Sequence, residues 1–141
     1  HLRGVFVPIC SGASICCFED RRVLLSPSQL KLWGKKNNIS VLHSTPAIFN
    51  LLCSKLKSQN EFPFLKKILL AGDFPRCSDL SKWYIFNPNT AIYNLYGPTE
   101  TTMAKLFFKI SSNDVLTEII PVGKPLPNVN VYVASPELGG I

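Results

Sequence analysis

Ala91-Ile-Tyr-Asn-Leu-Tyr-Gly-Pro-Thr-Glu-Thr-Thr102 decides how this chain folds. Its first six residues are mostly apolar and β-prone, and Gly97-Pro98 then forces a tight turn that presents the following polar side chains. Three further short runs have the same apolar, β-prone character: Ser14 to Phe18, Ile39 to His43 and Lys67 to Ala71. All four are expected to be strands, and the segments between them carry helix-start chemistry. Ser26-Pro27 offers an N-cap and a first-turn proline, with Leu30 and Trp33 following at helical spacing. Pro46 opens a second helix, in which Ile48, Leu51, Leu52, Lys55 and Leu56 make an amphipathic pattern. Ser78 is expected to cap a third, running through Trp83 to Phe86 and stopped at Asn87-Pro88.

Strand then alternates with helix at a spacing of about 25 residues, close to one right-handed crossover unit. The expected fold class is therefore α/β: a parallel sheet flanked by helices. After Tyr96 the character changes. Met103 to Ile110 reads as a longer strand, Ser111 to Thr117 is polar, and Pro121-Val-Gly-Lys-Pro-Leu-Pro127 is a proline-marked connection into Val129 to Val133, another strand candidate. This divides the chain into an α/β part, residues 1–120, and a connection, residues 121–141, into a following β-rich unit.

Composition narrows the function. The 141 residues are 46% hydrophobic, enough for a core without metal or disulfides. Apolar stretches such as Val5 to Ile9 are far shorter than the ~20 residues a membrane span needs. The net charge of +6 is scattered with little aromatic interleaving, which argues for a solvated basic surface and against nucleic-acid binding. Five cysteines, an odd number without CxxC spacing, disfavour a disulfide framework or a zinc site and fit a reducing cytoplasm. Cys16 and Cys17, inside an apolar run, read as buried small hydrophobes. The start, His1-Leu2-Arg3-Gly4, has neither initiator Met nor a targeting pattern, so the sequence reads as an internal piece.

In open α/β sheets, ligands bind beyond the carboxyl ends of the strands. Those ends are His43-Ser44-Thr45-Pro46, Ala71-Gly72-Asp73 and Asn94 to Thr102. Thr99, Thr101 and Thr102 offer hydroxyls to phosphate oxygens, Glu100 is a carboxylate suited to Mg2+, and Tyr96 offers a flat ring to a purine. Asp73 is equally well read as a helix or turn cap, and Met103 as core packing. Trp33, Trp83 and Phe62-Pro63-Phe64 read as packing residues.

Asn94-Leu-Tyr-Gly-Pro-Thr-Glu-Thr-Thr102 resembles the NxYGPTETT motif of the adenylate-forming superfamily, and in particular of nonribosomal peptide synthetase adenylation domains. Ala71-Gly72-Asp73 is similar to the family's GGE-type loop, Ser44-Thr45-Pro46 to its proline turn, and Pro121 to Asn128 to its PxGxPxxN connection. The resemblance implies part of the large N-terminal subdomain of an enzyme that activates a carboxylic acid in two steps. The carboxylate attacks the α-phosphate of ATP to give acyl-AMP and pyrophosphate, and the acyl group passes to a thiol. That thiol belongs either to the phosphopantetheine of a carrier domain, in the same or a partner chain, or to CoA.

By the same resemblance Glu100 is the Mg2+ ligand and Thr99 the phosphate-contacting hydroxyl, the two catalytic positions. Ala71, Gly72, Asp73, Asn94, Tyr96 and Gly97 line the nucleotide site. His43, Leu69, Ala71, Leu95, Met103 and Ala104 wall the acyl pocket. Asp73 stands where the family usually has Glu. The phosphate loop and ammonium-binding aspartate are expected upstream of His1, and the ribose aspartate and catalytic lysine downstream of Ile141, so the fragment alone is not expected to turn over. An acyl- or aryl-CoA ligase and a non-catalytic truncated remnant are the alternative readings.

Overall fold

The computed structural model describes residues 2–98, 104–116 and 118–133. Its elements are helix α1 (Leu2–Cys10), a 3₁₀ turn (Arg21–Leu25), α2 (Pro27–Lys36), β1 (Val41–Ser44), α3 (Pro46–Ser54), β2 (Lys67–Ala71), α4 (Cys77–Phe86), β3 (Ala91–Tyr96), β4 (Leu106–Ile110), a second 3₁₀ turn (Asp114–Leu116) and β5 (Lys124–Pro125).

The five strands form one sheet in the order β1-β2-β3-β4-β5. β1, β2 and β3 are parallel, joined by α3 and α4 as crossover helices, whereas β4 runs antiparallel to β3 and β5 antiparallel to β4. The sheet is thus mixed, with a parallel half built from the βα units and an antiparallel half that follows β3. β3 and β4 also meet where the Lys105 N–H donates to the Tyr96 carbonyl at 2.7 Å.

Side chains alternate across a pleated sheet, so the register fixes which residues share a face. Leu42, Ile68, Ile92 and Ile110 align in one row across four strands, and none is more than 7% exposed. On this face lie Phe49, Leu52 and Cys53 of α3 and Leu80 and Trp83 of α4, all fully buried. Phe49 and Phe62 hold their rings 5.3 and 5.5 Å from that of Trp83, within the range of favourable aromatic pairs. α2 closes one end of this core. Gly34 is required there because a Cβ would come within 2.6 Å of the Phe64 ring.

Helix starts follow the local chemistry with small shifts. Thr45 caps α3, its hydroxyl accepting from the Ile48 N–H at 3.4 Å, and Pro46 takes the first helical position. Ser26 and Pro27 open α2 as expected, although the Ser26 side chain makes no capping bond. α4 begins at Cys77 with Arg76 at the N-cap, so Ser78 lies inside the helix.

Three expectations are corrected. Ser14 to Phe18 is irregular, and Cys16 and Cys17 are exposed rather than buried. That run joins no strand of the sheet, in which β1 is the edge beside β2. Val129 to Val133 is also irregular, with Val131, Tyr132 and Val133 exposed. Strand pairing falls instead within the proline-marked connection, at Lys124–Pro125 against Leu106 and Phe107. The strand expected from Met103 starts at Leu106, and Met103 itself lies outside the described residues.

Candidate functional site

The carboxyl ends of β1, β2 and β3 emerge side by side on one edge of the sheet. Two rows of register then bring together four of the residues expected to line an acyl pocket. His43 pairs with Leu69, and Ala71 pairs with Leu95. Because the face alternates along each strand, all four lie on the face opposite α3 and α4, and all four are half-buried. Ala104 is also half-buried, two residues before β4.

Register adds two residues to this face that the motifs did not single out. Tyr93 pairs with Leu69, and Phe107 pairs with Leu95 across the antiparallel β3–β4 ladder. The alternation Ala91-Tyr93-Leu95 was sufficient to place Tyr93. Phe107 needed the strand direction, which the sequence did not supply.

At the tip of β2, Gly72 adopts φ +98°, a left-handed conformation that favours glycine, and an added Cβ would find no atom within 4 Å. The backbone there is open to close approach by a ligand. Asp73 is exposed, and its Oδ1 accepts from the Phe74 N–H at 2.8 Å. This is a bond to the next residue only; the N-cap of α4 is Arg76, so Asp73 does not cap that helix. At the tip of β3, Tyr96 is 42% exposed, and Gly97 and Pro98 follow at the surface.

Asn94 behaves differently from the other strand-end residues. Its side chain is on the α3/α4 face, 3% exposed, and its Nδ2 donates to the Pro121 carbonyl at 3.0 Å. The amide ties β3 to the connection. That connection is held further by Leu126 N–H donating to the Lys105 carbonyl at 2.8 Å and by Gly123, which passes against the Phe107 backbone. Thr99, Glu100 and Met103, together with Thr101 and Thr102, lie outside the described residues. Among the described residues no group of three or more His, Cys, Asp or Glu side chains could hold a metal ion, and no helix is long and apolar enough to cross a membrane.

Three parallel strand ends opening on one edge, with open space around the Gly72 Cα, define an α/β unit of the kind that holds ligands at its strand ends. Comparison with known proteins gives the family. A profile of the AMP-binding enzymes matches residues 1–141, and the chain belongs to the AMP-binding enzyme family. It is 31% identical over 140 residues to an L-2-aminoadipate reductase large subunit of Eremothecium gossypii, covering 94% of this chain and 10% of the relative. It is 29% identical to the nonribosomal peptide synthetase gliP of Aspergillus fumigatus over 97% of this chain and 6% of the relative. With bacitracin synthase 3 of Bacillus licheniformis it shares 32% identity over 92% of this chain and 2% of the relative. The chain thus spans a tenth or less of the length of these relatives.

Among solved structures, the nonribosomal peptide synthetase FmoA3 in its α-methyl-L-serine-AMP-bound form superposes with a TM-score of 0.79 at 22% identity, covering 97% of this chain and 16% of that one. PA1221, a nonribosomal peptide synthetase protein containing adenylation and PCP domains, superposes with a TM-score of 0.64 at 23% identity, covering 70% of this chain and 20% of that one. The fold is that of the corresponding part of these adenylating proteins.

Proposed function

We propose that this chain is the strand-end portion of an ATP-dependent ligase that activates a carboxylic acid, an amino acid in the leading version, as its acyl-adenylate with release of pyrophosphate. The observation that carries the reading is the convergence of His43, Leu69, Ala71 and Leu95 on one half-buried face, directly beneath the Gly72 and Tyr96 tips. The acid's side chain lies along that face. The nucleotide lies at its upper edge, with the Tyr96 ring beside the adenine and the open backbone at Ala71, Gly72, Asp73 and Gly97 around it. Asn94 contributes from the opposite face by holding the β3 end in place. Thr99 contacts phosphate and Glu100 holds Mg2+, roles carried over from the motif they occupy.

Catalysis by such a site is mainly positioning and charge stabilisation around an in-line displacement. The acyl group is then passed to a phosphopantetheine thiol on a carrier domain, a partner favoured by the peptide synthetase relatives; CoA is the alternative acceptor. Residues 1–120 are assigned to a partial α/β subdomain and 121–141 to the connection into a β-rich one. Five free cysteines support operation in a reducing compartment such as the cytoplasm.

The test is ATP–pyrophosphate exchange by the full-length protein across a panel of amino, aryl and fatty acids. Exchange that depends on one class of acid is expected. No exchange with any acid contradicts the reading and favours a non-catalytic remnant.

A further inference from the structure

A cleft of about 490 Å³ opens between the start of α2 and the end of α3, far from the strand tips. α3 leaves the sheet immediately after the carboxyl end of β1 and runs away from it, so a cleft lined by Leu52 and the residues that follow it sits at the other end of the unit. Its volume falls in the ~300–1,000 Å³ range of small-molecule sites. The lining is mostly apolar, including Leu25, Leu56 and Phe62, and Leu25 is 65% exposed.

Charge on the rim is one-sided. Three lysines, Lys31, Lys55 and Lys57, line the cleft against a single carboxylate, Glu61. Glu61 is already committed: its Oε1 accepts from the backbone N–H groups of Lys57 and Ser58 at 2.5 and 2.9 Å, and its Oε2 meets the Lys31 ammonium at 3.5 Å. Burial alone would raise its pKa, but those N–H donors and the Lys31 charge outweigh burial and hold the carboxyl below its usual range. The Lys55 and Lys57 ammoniums have no partner among the described residues, and both residues are exposed. Two uncommitted cations therefore stand over an apolar lining, an arrangement that suits an anion carrying an apolar body.

We propose that this cleft is a binding site for a small amphipathic anion, an organic carboxylate with an apolar body, separate from the strand-end site. The size of the cleft selects a small molecule, and the sign of its rim selects the anion. Neither feature depends on the adenylating function.

The probes are decanoate and its charge-inverted counterpart decylammonium, both below their micellar concentrations, titrated into the full-length protein and read by hydrogen-exchange mass spectrometry. Saturable protection by decanoate at residues 25–31 and 52–61, and much weaker protection by decylammonium, are expected. Lys55→Gln with Lys57→Gln removes both charges while keeping side-chain length, and should weaken decanoate binding about tenfold. Lys36→Gln, outside the cleft, should leave it unchanged. Equal response to both probes, unsaturable protection, protection confined to His43, Leu69 and Leu95, or unchanged affinity in the double variant would each overturn the proposal.

Discussion

The Asn94 carboxamide donates to the Pro121 carbonyl across 3.0 Å, joining the buried face of β3 to the first residue of the proline-marked connection. A motif position that the family resemblance assigns to the nucleotide pocket is therefore also a structural tie. Asn94→Asp replaces the donor with a carboxylate facing a carbonyl oxygen, both buried from water. The substitution should destabilise the chain by about 2–3 kcal/mol, the cost of stranding a buried charged or polar group. Urea denaturation checks this, and an unchanged midpoint would contradict the tie.

Gly123 is the second point where the connection meets the sheet. It adopts φ +89°, and an added Cβ would overlap the carbonyl oxygen and carbon of Phe107. Unlike the far end of a side chain, that backbone belongs to β4 and cannot give way cheaply. Gly123→Ala combines a strained conformation with overpacking and should cost at least about 2 kcal/mol. Gly72→Ala, where no atom lies within 4 Å, carries the conformational term alone and should cost less. Melting temperatures of the two variants decide the order.

Thiol reactivity should divide the cysteines. Cys10, Cys16 and Cys17 are exposed, whereas Cys53 is buried with its Sγ donating to the Asp79 carbonyl at 3.3 Å. Burial, reinforced by the Asp79 charge, pushes the Cys53 thiol far above its ordinary range. Iodoacetamide at pH 8 should modify the first three in the native chain and Cys53 only in denaturant, as read by peptide mass spectrometry. Labelling of Cys53 at the rate of Cys16 would contradict the α3–α4 packing.

Alkaline stability should report on Tyr84. Its hydroxyl donates to the Ile110 carbonyl at 2.8 Å, and burial followed by the Asp114 charge pushes its pKa from 10.0 up to about 12. Between those values the unfolded chain has lost this proton and the folded chain keeps it, so the unfolded state binds fewer protons and stability falls as pH rises. The contribution is fully present below pH 10 and lost by pH 12. Tyr84→Phe should cost about 0.5–1.5 kcal/mol at neutral pH and flatten the fall between pH 10 and 12. Parallel pH profiles for the two proteins would count against this role.

How much of this was legible depended on what each residue needed from its neighbours. Lys67–Ala71 and Ala91–Tyr96 were delimited correctly because apolar runs bounded by turn chemistry carry their own limits. Ser14 to Phe18 had the same local signal and failed, since a strand also requires pairing and this run joins no strand of the sheet. Val129 to Val133 failed in the same way. The antiparallel direction of β4, and with it the place of Phe107, is a matter of strand pairing that composition does not encode. The family motifs singled out His43, Leu69, Ala71 and Leu95, which the register places on one face, but Asn94's tie to Pro121 was not legible, because it joins residues 27 apart in sequence.

The central claim is that the Asn94 to Thr102 segment and the face formed by His43, Leu69, Ala71 and Leu95 serve acyl-adenylate formation. It is tested most directly by Mg2+-dependent ATP–pyrophosphate exchange in the full-length protein, comparing wild type with Glu100→Ala. Exchange should require a particular carboxylic acid and fall by roughly 10²–10³-fold in the variant, the scale seen when one charge-stabilising group is removed, with the melting temperature preserved. An exchange rate unchanged by Glu100→Ala, or no exchange with any acid in the wild type, would contradict it.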